Sequence, residues 1–145
     1  MKAFNLRVYG LLIEGNQILV SDECRNGFSF TKFPGGGIEF GEGVHDALIR
    51  EFNEELGIEI QVDAFFYVNE FLQLSAFNEN HQLISFYYKV SSLELEKITI
   101  GNHEVPHNEE GEKHRWVDIN DLKKDDFTFP IDKKVIELIH NEFQK

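Results

Sequence analysis

The sequence is poor in the features that secreted and membrane proteins use. Cys24 is the only cysteine, so the chain can form neither an internal disulfide nor a metal site built from cysteines. No apolar run reaches about 18 residues, which excludes a membrane-spanning helix. Arg7 and Glu14 interrupt the first apolar stretch, so we expect no signal peptide. These absences favour a reducing, cytoplasmic setting.

Basic residues are also scarce. The 14 Lys and Arg residues stand against 26 Asp and Glu, which gives a formal net charge of −12. Such a surface repels nucleic-acid backbones and anionic membranes, because both are bound through basic patches. A small anionic substrate meets the same repulsion unless a divalent cation or a local basic cluster offsets it. We therefore expect neither long nucleic acid nor a membrane as a partner. Composition alone indicates that the negative charge serves to keep the protein soluble.

The length and the apolar pattern predict one mixed α/β domain over residues 1–145. Helices are predicted for residues 44–56, ended by Gly57, and for residues 131–143 after Pro130. The glycines that follow Pro34 should break regular structure. Strands, mostly joined as hairpins, are predicted for residues 7–13, 17–21, 28–33, 58–74, 82–90 and 114–117, with a polar loop at 101–113.

Three carboxylates share one side of the first predicted helix. Glu51, Glu54 and Glu55 stand at positions i, i+3 and i+4, directly beside the apolar stripe that contains Phe52. Each like-charge i, i+4 pair costs about 0.2–0.5 kcal/mol, and a divalent cation removes this cost. Mg²⁺ prefers such oxygen ligands. Taken alone, however, the three glutamates are more typical of a solvated acidic helix face than of a metal site.

The residues around these glutamates resemble the Nudix box, G-x5-E-x7-R-E-U-x-E-E-x-G-U, in which U is a bulky aliphatic or aromatic residue. Every fixed position matches, and at background frequencies this would occur by chance about once in 10⁸ to 10⁹ placements. The order of the other segments also resembles the usual layout of the family. The matching residues are Gly36, Glu42, Arg50, Glu51, Phe52, Glu54, Glu55, Gly57 and Ile58.

The resemblance implies an α/β/α sandwich around a mixed, curved sheet. It also implies a magnesium-dependent hydrolase, with Mn²⁺ as an alternative cofactor. Such an enzyme cleaves a diphosphate linkage by attack of water at phosphorus, in a nucleoside triphosphate or a nucleoside diphosphate derivative. Signatures typical of relatives that act on ADP-ribose or on dinucleoside polyphosphates are absent from residues 73–76. The physiological substrate and the phosphorus that is attacked stay open.

The same resemblance assigns roles within the box. Glu54 and Glu55 would ligate the metal together with the backbone carbonyl of Gly36. Glu51 would either ligate a second metal or accept the proton of the attacking water. Glu42 would support the metal site from a greater distance. Arg50 would orient the glutamates through charge-assisted hydrogen bonds.

Further residues are candidates for the site outside the box. Many relatives use one more carboxylate before the last strand, and here Glu112 is preferred to Glu110 and Glu109, although a solvated acidic loop would explain all three. Three cations are candidates for binding phosphate, with an ordinary surface position as the alternative for each: Arg7, Arg25 and Lys32. Three irregularly spaced histidines are interpreted as loop residues rather than metal ligands: His103, His107 and His114.

Two other classes of function compete with the enzyme. Some Nudix domains have lost catalysis and sense a nucleotide-like metabolite, but these usually have a broken box and an attached domain. An acidic structural protein with an accidental box is the third alternative. Dimers are frequent in the family, so a homodimer stays open, as does the number of metals.

Overall fold

The computed structural model describes residues 1–143 as a twisted sheet between two helices. Three short 3₁₀ turns, at residues 95–97, 119–121 and 124–126, complete the regular structure. The strands and helices are β1 (Ala3–Glu14), β2 (Gln17–Arg25), β3 (Phe28–Lys32), β4 (Gly35–Gly37), α1 (Val44–Leu56), β5 (Gln61–Val68), β6 (His81–Ser91), β7 (Gly111–Asp118) and α2 (Pro130–Phe143).

Strand β1 is the centre of the sheet. It pairs in parallel with β6 from Ala3↔His81 to Leu12↔Val90, and its last two residues pair antiparallel with β2. Strand β5 extends β6, while β3 and β7 flank β2, all antiparallel. The prediction of mostly hairpins therefore misses two long-range pairings, β1 with β6 and β2 with β7. Local turn signals carry no information about which distant strands meet.

The two faces of the sheet carry separate cores, which are supplied by alternate residues of the same strands. On β1, Val8 and Leu12 pack with α1, whereas Tyr9 and Leu11 pack with α2. Residues 8–12 are all buried, as expected for a strand covered on both faces. The result is an α/β/α sandwich around a mixed sheet, so the predicted fold class is confirmed.

Helix α1 has the predicted bounds and packs very closely on β1. Gly57 ends it in a left-handed conformation (φ 68°), and its N–H donates to the carbonyl of Asn53 at 2.9 Å. A Cβ at Gly10 would lie 2.5 Å from the ring of Phe52. The absence of that Cβ lets the aromatic ring pack directly against the strand.

The glycines after Pro34 do not break the sheet, contrary to the prediction. They form β4, which pairs antiparallel with β1 through Val8↔Gly36 and Tyr9↔Gly35. Gly35 has φ 148°, and a Cβ there would clash with the carbonyl oxygen of Val8. Glycine is needed here because the two backbones approach so closely, which strand propensities do not report.

The predicted strand at residues 58–74 is also too long, since regular pairing ends at Val68 and only Leu74 makes an isolated bridge further on.

Within residues 1–143, neither helix is long and apolar enough to cross a membrane.

Candidate active site

Strand β4 brings the backbone of Gly36 against the carboxylate of Glu51. A Cβ on Gly36 would lie 2.6 Å from the carboxyl carbon of Glu51, so any larger residue would displace the carboxylate. Glu51 projects from α1, and its side chain is only 14% exposed. A carboxylate held this close to the backbone of a glycine is an oxygen donor of the kind that a hard divalent cation takes.

Arg50 hydrogen-bonds both to carboxylates of α1 and to groups in the segment before the helix. Its Nε and Nη2 donate to the two oxygens of Glu42 at 2.6 and 2.9 Å, and Nη2 also donates to the carbonyl of Gly37 at 3.0 Å. Its Nη1 donates to Glu51 and to Glu54, both at 3.1 Å. These hydrogen bonds, with a smaller contribution from the N–H of Glu39, lower the pKa of Glu42 to about 2.

Glu55 differs from the other carboxylates of α1. Its Oε2 is buried and has no hydrogen-bond partner among the described residues. Burial raises the pKa of Glu55 well above the ordinary carboxyl range, and the charges of Glu112 and Glu51 raise it further, although Lys32 opposes them. Oε2 thus has no hydrogen-bond donor among the described residues, and a bound divalent ion would supply the missing partner.

Glu112 and His114 lie beside Glu55 on the neighbouring strand β7. One ligand atom from each of the three side chains lies within 4.8 Å of the other two. Burial, reinforced by Lys32, lowers the pKa of His114 to about 4, so its ring is neutral at pH 7. The interpretation of His114 as a loop residue is wrong, because it is a buried residue of β7.

Of the three candidate glutamates before the last strand, Glu112 is the one that the structure places beside Glu55. Glu109 instead forms an ion pair with Lys113 at 3.3 Å. Glu110 accepts a hydrogen bond from the backbone N–H of Asn26 at 3.0 Å. Both are exposed, and Glu109 lines the same cavity as Glu55 and Glu112 without joining their cluster.

Lys32 lies buried at the base of the site. Its ammonium group pairs with Glu23 at 2.9 Å and donates to the carbonyl of Phe33 at 3.2 Å. Burial alone would lower the pKa of Lys32, but the charges of Glu23 and Glu55 outweigh this and raise it overall. Lys32 is therefore a permanent positive charge between the acidic cluster and the adjoining cavity.

That adjoining cavity, of about 450 Å³, collects all three predicted cations: Arg7, Arg25 and Lys32. Arg7 donates to the hydroxyl of Tyr9 at 2.8 Å. The guanidinium of Arg25 stacks 4.6 Å from the ring centroid of Phe77. The cavity thus offers positive charge next to aromatic surface on a molecule that is otherwise strongly acidic.

At the floor of the same cavity, Tyr87 and Asp132 form a buried pair. The hydroxyl of Tyr87 donates to Asp132 Oδ1 at 2.6 Å, and Asp132 is 2% exposed. Burial raises the pKa of Asp132 to about 7, even though the hydrogen bond from Tyr87 acts in the opposite direction. A carboxyl that changes protonation near neutral pH therefore faces the cavity.

Asp132→Asn should flatten the pH dependence of stability. Because its pKa is raised in the folded state, Asp132 holds its proton more tightly there than in the unfolded chain, and the wild type loses stability as the pH rises from about 4 to about 7. The difference between those pKa values corresponds to at most about 4 kcal/mol. Urea unfolding between pH 4 and 8 measures this, with the exposed Asp125→Asn as control. Parallel profiles for wild type and Asp132→Asn would contradict it.

Sequence reasoning missed Glu23, Tyr87 and Asp132. Glu23 and Tyr87 stand inside strands, where nothing local distinguishes them from core or surface positions. Asp132 falls in the first turn of α2, where an acidic residue is ordinary because it complements the helix dipole. Its two apolar neighbours at helical spacing, Val135 and Ile136, mark that face as buried, and this was the available signal.

Comparison with known proteins gives concordant results. The sequence model of the NUDIX domain matches residues 4–139. The 8-oxo-dGTP diphosphatase of Escherichia coli strain K12 is 30% identical over 138 residues, which cover 94% of this chain and 95% of that protein.

Two solved structures show the same fold at lower identity. The Escherichia coli ORF135 protein superposes with a TM-score of 0.71 at 16% identity, over 97% of this chain and 91% of that one. A MutT NUDIX hydrolase from Burkholderia pseudomallei superposes with a TM-score of 0.69 at 18% identity, over 95% and 99% of the two chains.

Proposed function

The chain belongs to the Nudix family, and from this we propose that it is a nucleotide pyrophosphohydrolase that cleaves a diphosphate linkage with the help of a divalent cation. The observation that carries the proposal is the buried, unpartnered oxygen of Glu55, which lies among further carboxylates and feels the charge of Lys32, a residue that lines the neighbouring cavity with Arg7 and Arg25. A metal ion would pair that oxygen, and the neighbouring cations would hold phosphate. Neither a solvated acidic face nor an accidental box explains a carboxylate placed in this way.

The donor set fits a hard cation, for which we propose Mg²⁺. Glu54, Glu55 and the carbonyl of Gly36 would hold it, with Glu112 completing the set from β7. When bound, the cation would polarise the diphosphate and lower the pKa of the attacking water. Glu42 accepts from Arg50 through both oxygens, so we assign it to orienting Arg50 at the edge of the metal site.

The remaining residues of the chain would position and deprotonate the reactants. Glu51 and Glu112 are the carboxylates close enough to the site to accept a proton from water, and Glu51 would instead act as a ligand if a second ion binds. Arg50 holds Glu51 and Glu54 in place through its Nη1. Lys32 balances the charge of the carboxylates before substrate arrives, which reduces their mutual repulsion.

We place the nucleoside and its outer phosphates in the cavity of about 450 Å³. Arg7, Arg25 and Lys32 offset the net charge of −12 locally, as an anionic substrate requires. The ring of Phe77 and the buried Tyr87–Asp132 pair offer a stacking surface and polar groups for a base. A nucleoside triphosphate is the preferred substrate class, and 8-oxo-dGTP, the substrate in the relative's name, belongs among the first to test.

Three broader proposals accompany this function. Residues 1–145 form one domain, which is supported by the two cores that share β1 and β2. A reducing, cytoplasmic location is supported by Cys24, which is buried and has no other cysteine to pair with. The protein needs no nucleic acid or membrane partner for this chemistry, and we leave a homodimer as a subject for measurement.

The direct test is turnover on a substrate panel with Mg²⁺. Nucleoside triphosphates, 8-oxo-dGTP, nucleotide sugars, ADP-ribose and dinucleoside polyphosphates are incubated with the protein, and the products are identified by mass. We expect cleavage at a diphosphate linkage that stops when a chelator is added and resumes with excess Mg²⁺. A folded protein that binds the nucleotide and the metal but turns over no substrate would favour the metabolite-sensing module instead.

A further inference from the structure

Glu55, Glu112 and His114 bring carboxylate oxygens and one ring nitrogen to the same place. One ligand atom of each side chain lies within 4.8 Å of the other two. Glu112 and His114 are two residues apart on β7, so their side chains leave the same face of the strand. Glu55 approaches from the last turn of α1. The cluster is therefore built on two regular elements and owes its geometry to the packed fold.

Nothing in the described chain accounts for the ring nitrogen of His114. The residue is 5% exposed, yet its Nε2 has no hydrogen-bond partner between residues 1 and 143. Buried polar atoms are nearly always paired, because an unpaired one costs free energy. Oε2 of Glu55 is unpaired as well. Two side chains of one small cluster therefore each carry a buried, unpaired atom, one a nitrogen and one an oxygen, and this indicates a ligand that accepts electron pairs from both.

A path for an ion to reach the cluster is also present. Glu55, Glu112 and His114 all line a cavity of about 860 Å³, on the side formed by the loop that precedes β7. The nucleoside would occupy the other cavity, beside Arg7 and Arg25. An ion can therefore enter from the loop side while the nucleotide occupies its own pocket.

We propose that His114 is a nitrogen ligand of the divalent cation that Glu55 and Glu112 hold, and that this site consequently binds Co²⁺ and Mn²⁺ more tightly than Mg²⁺. The inference rests on the proposed function, which assigns the cation to these carboxylates. Mg²⁺ takes oxygen ligands, whereas imidazole nitrogen favours first-row transition metals, with affinity rising from Mn²⁺ to Co²⁺. One imidazole in the ligand set therefore increases the preference for Co²⁺ and Mn²⁺ over Mg²⁺ beyond that of an all-oxygen site.

Pulsed electron paramagnetic resonance on the Mn²⁺-loaded full-length protein tests the ligand directly, without turnover. A directly bound imidazole gives a ¹⁴N modulation of the electron spin echo, and labelling histidine alone with ¹⁵N should replace it by the ¹⁵N pattern in the wild type. His114→Gln should abolish the modulation. The matched control is His45→Gln, which removes an exposed histidine at the start of α1 and should leave the modulation unchanged.

Calorimetric titration tests the preference. In His114→Gln the ratio of Co²⁺ to Mg²⁺ affinity should fall by about tenfold or more, and Mg²⁺ affinity should change much less. If Mn²⁺ binds the wild type without a histidine modulation, or if a bridging water separates the ring from the ion, the inference is overturned while the proposed function stands. If Glu55→Gln binds all three ions as tightly as the wild type does, the metal assignment of the proposed function fails, and the inference fails with it.

Discussion

Glu55→Gln is expected to reduce turnover by about a thousandfold or more while the protein stays folded. The carboxylate is assigned as a metal ligand, and a neutral amide is a much weaker ligand that also leaves the charge of the bound ion unbalanced. The substitution keeps the size and the packing of the side chain. Oε2 of Glu55 makes no hydrogen bond within the described chain, so replacing this oxygen breaks no hydrogen bond of the metal-free fold.

The same substitution should increase the stability of the metal-free protein at neutral pH. Burial raises the pKa of Glu55, so the folded state resists its ionisation, and wild-type stability falls as the pH rises through the ordinary carboxyl range and above it. Glutamine does not ionise and avoids this cost. Damage to the fold would lower stability and activity together. A variant that is more stable but has lost its activity therefore shows that the Glu55 carboxylate serves turnover and not the fold.

Steady-state kinetics on the best substrate and urea unfolding in chelator provide these measurements. Glu54→Gln should also lose activity by a large factor, because Glu54 is the other box glutamate assigned as a ligand. Glu79→Gln, an exposed carboxylate in the loop before β6, is the control for the loss of one negative charge. Full activity in both Glu54→Gln and Glu55→Gln would show that the metal is held elsewhere.

The sequence predicts α1 with its bounds because the signals are local. An apolar stripe at helical spacing, the stop at Gly57 and the box itself all fall within one short stretch of chain. The carboxylate side of the helix follows at once from the apolar side, since the two arcs are fixed by the geometry of the helix. This is why Glu51 and Glu55 could be assigned to a common site before any tertiary structure was known.

The rest of the site depends on contacts between distant segments. Glu112 pairs with Glu23, and His114 with Ser21, through the register of β7 against β2. A shift of that register by one residue would turn all of these side chains to the opposite face, and a single sequence does not report the register. The nitrogen of His114 could therefore not be placed beside Glu55 from spacing alone, and its interpretation as a loop residue was wrong for this reason.

In the substrate cavity, too, some residues could be predicted from the sequence and others could not. Arg7, Arg25 and Lys32 were identified because cations are scarce in this chain and these three lie in the segments that precede the box. Tyr87 and Asp132 were missed because they meet through the packing of α2 on the sheet, and a buried tyrosine or an acidic residue in the first turn of a helix is ordinary in either segment. Residue type was enough to identify the candidate cations, whereas the contacts between residues could be identified only from the fold.

Arg50→Lys is expected to lower activity by about 10- to 100-fold, the range typical of residues that orient metal ligands. Lysine keeps the charge but cannot donate to both oxygens of Glu42 and at the same time to Glu51 and Glu54, which the planar guanidinium does. The fall should be in kcat rather than in the KM for substrate, since Arg50 does not line the substrate cavity. Arg50→Ala should lose more, because three carboxylates then have no positive charge between them.

Metal ions should partly compensate for the loss of the guanidinium, and this distinguishes orientation from simple structural support. In chelator, Arg50→Ala should be less stable than the wild type by about 1–3 kcal/mol, because the Arg50 side chain is 22% exposed and solvent screens part of the effect. Saturating Mg²⁺ or Mn²⁺ should recover more stability in the variant than in the wild type, since a divalent ion takes over the role of the missing charge. Lys97→Ala, which breaks an exposed ion pair with Glu94, should show no such metal-dependent recovery. Equal metal responses in Arg50→Ala and the wild type would mean that Arg50 does not act on the carboxylates that hold the ion.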